Sequence, residues 1–252
     1  MEAYVKSHIE HGINTIEFFH PQSNSLPGKI LEELAHEIHF AGTNHDTKVI
    51  ILKSGGEKTF CSGASFDELS SIKSEAEGLK FFSGFANVIN AMRKCPKFII
   101  GRIQGRCVGG GVGLASAVDY AIAIDKAEIK LSELSVGIGP FVVGPAVERK
   151  IGRAAFSALA MDATSWRSSD WAKKKGLFAE VHESTENMDE SVYRLANTLA
   201  HSNPEAMAEM KKTFWVGNEH WDDMLKERAA ISGKLVLSEF TRNAIEKFKA
   251  KV

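Results

Sequence analysis

Residues 4–19 first alternate between apolar and polar positions and then turn continuously apolar. Val5, Ile9, Ile13, Ile16, Phe18 and Phe19 flank Gly12 and Asn14, a pattern that predicts a β-hairpin. His20-Pro21-Gln22-Ser23-Asn24-Ser25 reads as a turn. Across residues 26–40 the apolar side chains of Ile30, Leu31, Leu34 and Ile38 recur at helical spacing, and Lys48-Val49-Ile50-Ile51-Leu52 then predicts a buried strand. A second round repeats this layered ββα theme, with a helix over 78–92, a strand at Phe98-Ile99-Ile100, a glycine-rich turn, an apolar helix and a strand over 120–124. Beyond Pro145 the apolar spacing becomes helical, over 154–161, 168–175, 187–201, 204–216, 222–236 and 238–251. No linker interrupts the chain, so the expectation is one domain, with an α/β core over 1–200 and a helical C-terminal subdomain over 201–252.

Composition narrows the function classes. The 252 residues carry 31 Lys plus Arg against 32 Asp plus Glu, a net charge of −1, which disfavours a nucleic-acid binder. At 44% hydrophobic and 25% charged the chain is an ordinary globular one. Its first twelve residues contain no apolar h-region, and no uninterrupted apolar run reaches the ~18 residues of a membrane span, so a soluble, cytoplasmic protein without membrane contact is expected. The three cysteines, Cys61, Cys95 and Cys107, form no CxxC pair and are expected as free thiols, either inert in the core or reactive beside the glycines. His36 and His39 stand three apart on the first helix, a surface pair or two metal ligands, but no third ligand is evident and no metal is expected.

Two clusters of small residues carry the candidate chemistry. Thr59-Phe60-Cys61-Ser62-Gly63-Ala64-Ser65-Phe66 lies between a strand and a polar helix, where small side chains let a ligand approach the backbone. Gly105-Arg106-Cys107-Val108-Gly109-Gly110-Gly111-Val112-Gly113 follows a buried strand and opens an apolar helix, whose free N–H groups and dipole suit an anion or a developing oxyanion. The second cluster fits neither a dinucleotide GxGxxG turn nor a P-loop, and close helix-strand packing is the other reading of it.

Taken together and in order, Pro21…Asn24-Ser25-Leu26, Phe60-Cys61-Ser62-Gly63-Ala64, Gly105 through Gly111, Asp119 and Glu133…Gly137…Pro140 resemble the crotonase (enoyl-CoA hydratase/isomerase) superfamily over nearly the whole chain. The resemblance implies a crotonase-like spiral of repeated ββα units with a helical C-terminal subdomain, a homotrimer or a hexamer built as a dimer of trimers, and an acyl-CoA thioester ligand. No separate cofactor is implied, coenzyme A being part of the substrate. It assigns the backbone N–H groups of Ala64 and Gly110 as an oxyanion hole. Such a pair is expected to stabilise the enolate through which reactions at Cα of a thioester pass, each donor contributing roughly 3 kcal/mol.

Hydratases of this family carry two glutamates. Glu133 matches the second, whereas the position of the first is Gly113, twenty residues earlier. Glu133, in the apolar context Leu131-Ser132-Glu133-Leu134, is either an exposed strand-end carboxylate or a desolvated acid/base of raised pKa. The first reading is a hydratase adding water across the 2,3-double bond of an enoyl-CoA. An enoyl-CoA isomerase using Glu133 alone and a catalytically silent acyl-CoA binding protein are the alternatives. If the missing carboxylate is all that limits hydration, Gly113→Glu should speed it.

The stretch Gly109–Leu114 with Pro140-Phe141-Val142-Val143 looks most like methylglutaconyl-CoA hydratases, whose carboxylated substrate calls for a basic clamp, with Arg106 and Arg102 as candidates. Ser62, Gly109, Gly113, Val136 and Phe141 are the remaining substrate-binding candidates, with Phe81 and Phe82 either lining the acyl pocket or filling the core. For coenzyme A the resemblance implies Gln22, Ser23, Cys61 and Phe66, with Phe248 and Lys251 reaching a neighbouring subunit's nucleotide.

Overall fold

The computed structural model describes residues 2–249. The alternating first stretch forms the hairpin β1 (Tyr4–Glu10) and β2 (Ile13–Phe19), turned at His11 and Gly12 with φ of 50° and 81°. Along β2 every second side chain, Asn14, Ile16 and Phe18, is buried, as strand geometry requires. There follow β3 (Ser25–Leu26), α1 (Gly28–Thr43) and β4 (Val49–Ser54). Leu26, expected in the helix, lies in β3 because the residue before a proline is pushed towards extended backbone, and Pro27 then caps α1.

The next circuit contains β5 (Thr59–Cys61), β6 (Gly63–Ala64), α2 (Phe66–Ser71) and α3 (Glu75–Lys94). A third contains β7 (Phe98–Ile103), β8 (Arg106–Val108) and α4 (Gly110–Ala117). Then come β9 (Tyr120–Ile124), β10 (Ile129–Lys130), a 3₁₀ turn over Glu133–Val136 and α5 (Gly144–Met161). Helix α5 starts ten residues before the predicted 154–161 segment. Pro145 is tolerated in its first turn, and Gly152, at φ 77°, breaks it in the middle. The chain continues through α6 (Ser169–Lys174), β11 (Glu180–His182), α7 (Thr185–Ala200), α8 (Pro204–Phe214), α9 (Trp221–Leu235) and α10 (Glu239–Lys249).

The large sheet has the order β1-β2-β4-β7-β9-β11, parallel throughout except for the hairpin strand β1. A small parallel sheet, β10-β8-β5, and the pair β3-β6 complete the strands. Successive circuits add to the large sheet, then to a small sheet and then a helical layer, so the chain advances as a spiral. Buried on both faces, β4 and β7 read as continuous apolar runs rather than alternating ones. Asn24, at φ 54°, ties successive circuits together by donating to the carbonyls of Gly55 and Thr59 at 2.9 Å each.

The main core continues past residue 200 into Met207, Trp215, Trp221, Leu225 and Ala229. Helix α8 is anchored by Lys211, 2% exposed, whose Nζ donates to Asp119 Oδ2 at 2.8 Å and to the Lys97 carbonyl at 2.7 Å. Helix α9 crosses α3 so closely that a Cβ on Gly78 would stand 2.6 Å from Gly233 Cα. Among the described residues no helix is long and apolar enough to cross a membrane.

Candidate active site

The two glycine clusters meet. A Cβ on Gly63, which sits at φ 93°, would lie 3.2 Å from the Val108 carbonyl oxygen and 3.5 Å from the Gly110 nitrogen, so β6 runs against the first turn of α4. Just after β6 the amide of Ser65 donates to the Leu26 carbonyl of β3. Gly110 is the first residue of α4, after Gly109 at φ 52° with no side-chain cap, so its N–H is one of the groups a helix start leaves without an internal acceptor. Only glycine fits here. A Cβ on Gly110 would fall 2.3 Å from the Phe85 ring and one on Gly111 2.1 Å from the Cys61 carbonyl.

Ala64, Gly109 and Gly110 line a cavity of about 90 Å³ together with Glu133. The Glu133 carboxyl sits over the start of α4, with Oε1 3.0 Å from where a Gly109 side chain would begin. As a whole the residue is partly exposed, yet its Oε2 is buried without a hydrogen-bond partner. Burial pushes the carboxyl up from 4.5 to about 7, its own backbone amide offsetting part of the effect. Of the two readings of Glu133, the structure selects the desolvated one. The remaining walls are almost wholly apolar. Phe66, Leu69, Phe81 and Phe82 come from α2 and α3, and Val136, Ile138 and Phe141 from the segment after the 3₁₀ turn. Phe81 and Phe82 therefore belong to the pocket, ring against ring at 5.1 Å.

Several expected site residues lie elsewhere. Gly113 is buried but does not line the cavity, because Val143 fills the space in front of it. A Cβ at Gly113 would be 2.5 Å from Val143 Cγ1, so a glutamate cannot simply be restored there. Arg106 points away from the cavity, pairs with Glu128 at 2.9 Å and lies 4.9 Å over the Trp166 ring. Arg102 is likewise engaged, donating Nη2 to Asp189 Oδ2 at 3.0 Å, so neither arginine clamps an acyl group. Cys61 is fully buried and accepts from the Gly63 amide at 3.4 Å; burial drives its thiol up to about 12, so its side chain is an inert part of the core. Cys107, also fully buried, has its thiol raised for the same reason.

Ser62 and Phe66 stand at the cavity wall. The Ser62 hydroxyl donates to the Ser23 carbonyl at 2.9 Å and the Gln22 amide to Asp67 Oδ2 at 3.2 Å, which draws the 20–25 turn onto the same rim. Phe248 contributes its backbone to α10, and Lys251 lies outside the described residues. Periodicity did not identify Phe85, Val143 or Ser232 as cavity residues. Each reads locally as a core position of its element, and only the crossing of α3, α5 and α9 brings them to one place.

Enclosed carboxyl, adjacent helix start and spiral architecture together define the crotonase class of thioester enzymes. A family model described as enoyl-CoA hydratase/isomerase matches residues 8–248, and the chain belongs to that family. Among curated relatives, a probable enoyl-CoA hydratase of Bacillus subtilis is 26% identical over 245 residues, covering 96% of this chain and 94% of its own. A peroxisomal Delta(3,5)-Delta(2,4)-dienoyl-CoA isomerase of Arabidopsis thaliana is 30% identical over 203 residues, 75% of this chain and 71% of its own. The crystal structure of an enoyl-CoA hydratase from Bacillus halodurans shares the fold, with a TM-score of 0.89 at 22% identity over 97% of this chain and 99% of its own.

Proposed function

We propose that this enzyme shifts the double bond of an enoyl-CoA thioester by moving a proton between Cα and Cγ, with Glu133 as the single acid/base. The observation that carries this reading is the desolvated Glu133 carboxyl, whose Oε2 has no hydrogen-bond partner, the one ionisable side chain among the described residues of the cavity wall. As carboxylate, Glu133 takes a proton from Cα of a 3-enoyl thioester. The electron pair delocalises onto the thioester oxygen, where the Ala64 and Gly110 N–H groups and the positive end of α4 hold the charge. Glu133 then returns the proton to Cγ, leaving the conjugated 2-enoyl thioester and the enzyme unchanged. No water and no second carboxyl enter the balance, which suits a wall where Val143 fills the space in front of Gly113, the position of the missing carboxylate.

Hydration of a 2-enoyl-CoA is the second reading, favoured by the Bacillus subtilis relative that matches nearly end to end. A carboxylated substrate such as 3-methylglutaconyl-CoA has no cationic partner among the described residues of the cavity. The rim formed by Gln22, Ser23, Ser62 and Phe66 would seat the pantetheine arm, with the helices after residue 200 as cover and a trimer or dimer of trimers as the working form, in the cytoplasm. Incubation with a 3-enoyl-CoA and with crotonyl-CoA, followed by enoyl-thioester absorbance and product mass, separates the readings. The isomerase reading expects conjugation of the 3-enoyl ester to outpace water addition, and to fall at least 1,000-fold in Glu133→Gln. Faster hydration of crotonyl-CoA, or full activity without the carboxyl, would overturn it.

A further inference from the structure

One side chain of the cavity wall faces Gly113. Val143 ends the loop before α5, is 4% exposed and lines the cavity. Behind it stands Gly113, and a Cβ there would lie 2.5 Å from Val143 Cγ1 and 2.7 Å from its Cβ, so the valine occupies the volume that a larger residue in α4 would otherwise take. Ser232 of α9 reaches the cavity beside the point where α9 touches α3 backbone to backbone, a Gly78 Cβ having only 2.6 Å to Gly233 Cα. What remains is about 90 Å³. Most ligand pockets are at least about threefold larger.

We propose that this cavity selects short, uncharged acyl groups of about four carbons, and that Val143 is the residue setting the limit. The inference rests on the enoyl-CoA reading of the site and names the substrate class within it. A chain end bearing a carboxylate would bring a second negative charge into an apolar space that already holds Glu133 and has no cation among its described residues, unfavourable surroundings for a buried ion. A longer alkyl chain would have to displace Phe82, Val143 or the α3–α9 contact.

Direct binding of saturated thioesters tests this without depending on turnover. Wild-type protein is titrated calorimetrically with free coenzyme A and with butyryl-, hexanoyl-, octanoyl- and glutaryl-CoA. An open apolar channel would tighten binding about fourfold for each added methylene. Expected instead is a maximum at butyryl-CoA, with octanoyl-CoA at least tenfold weaker and glutaryl-CoA roughly a hundredfold weaker. Val143→Ala should move the maximum to hexanoyl-CoA, and Val143→Leu should weaken butyryl-CoA, so that opposite changes in one side chain give opposite shifts. A steady rise to octanoyl-CoA, glutaryl-CoA binding equal to butyryl-CoA, or an unchanged profile in both variants would overturn the inference while leaving the enoyl-CoA reading intact. If no thioester bound better than free coenzyme A, the enoyl-CoA reading itself would fall, and this inference with it.

Discussion

Replacing Glu133 by glutamine should disable the enzyme and, above neutral pH, make it more stable. Burial raises the carboxyl from 4.5 to about 7. A group whose pKa is raised on folding contributes its full stability below the unfolded value and loses it as pH climbs through the folded one. In wild type, the unfolded chain releases this proton near pH 4.5, whereas the native state holds it until about pH 7. Every pH unit in that window removes about 1.36 kcal/mol. The difference of about 2.5 pH units between 4.5 and 7 amounts to about 3 kcal/mol. Glutamine has no such window, and every other titrating group is common to both proteins. The stability of Glu133→Gln relative to wild type should therefore rise by about 3 kcal/mol between pH 4 and pH 8.5. For a chain of this size that is a relative gain of roughly 6–12 °C in Tm. Urea or thermal unfolding of both proteins at the two pH values measures it. A difference that stays constant with pH would mean that Glu133 titrates like an exposed carboxyl, and the case for a poised base would be lost. The activity counterpart is a kcat/KM for proton abstraction that increases up to about pH 7 and then levels off.

Other positions can be tested independently. Gly113→Glu should not improve hydration: its Cβ would meet Val143 Cγ1 at 2.5 Å, and overpacking of this kind costs about 1–3 kcal/mol in a denaturant titration. Asp119→Asn should destabilise by about 3–5 kcal/mol by leaving the buried Lys211 ammonium without its counter-charge, and Lys211→Met in the same chain should recover much of that loss. Cys61 and Cys107, being fully buried, should resist alkylation in the native protein and react only once urea unfolds it, as mass spectrometry would show.

The repeating strands and helices were legible because their periodicity is a local property: a buried parallel strand must be apolar on both faces, and a helix against a sheet must carry an apolar stripe. Small residues at Gly63, Ala64, Gly109 and Gly110 were legible too, since close backbone approach leaves few other choices. Glu133 was a different matter. Its neighbours suggest partial burial, but only the cavity shows an oxygen without a partner.

Arg106 and Cys61 mark where local reading stops. Both sit within conspicuous motifs, yet the side of the short strand each faces follows from register against β10 and β5 or against α4, which is settled by distant residues. The amino-acid order by itself determined the recurring ββα theme and the ordered motifs that resemble the crotonase family, because these are written in spacing and in the backbone freedom of single residues, and it was that resemblance that implied the spiral and the meeting of two glycine-rich turns with an acid. Only the tertiary structure decided that Val143 fills the space in front of Gly113, where a second carboxyl was sought, that none of the described residues lining the cavity is a cation, and that α3 and α9 meet backbone to backbone beside it. Those properties arise from side chains far apart in the chain competing for one small volume, and no local pattern records the outcome.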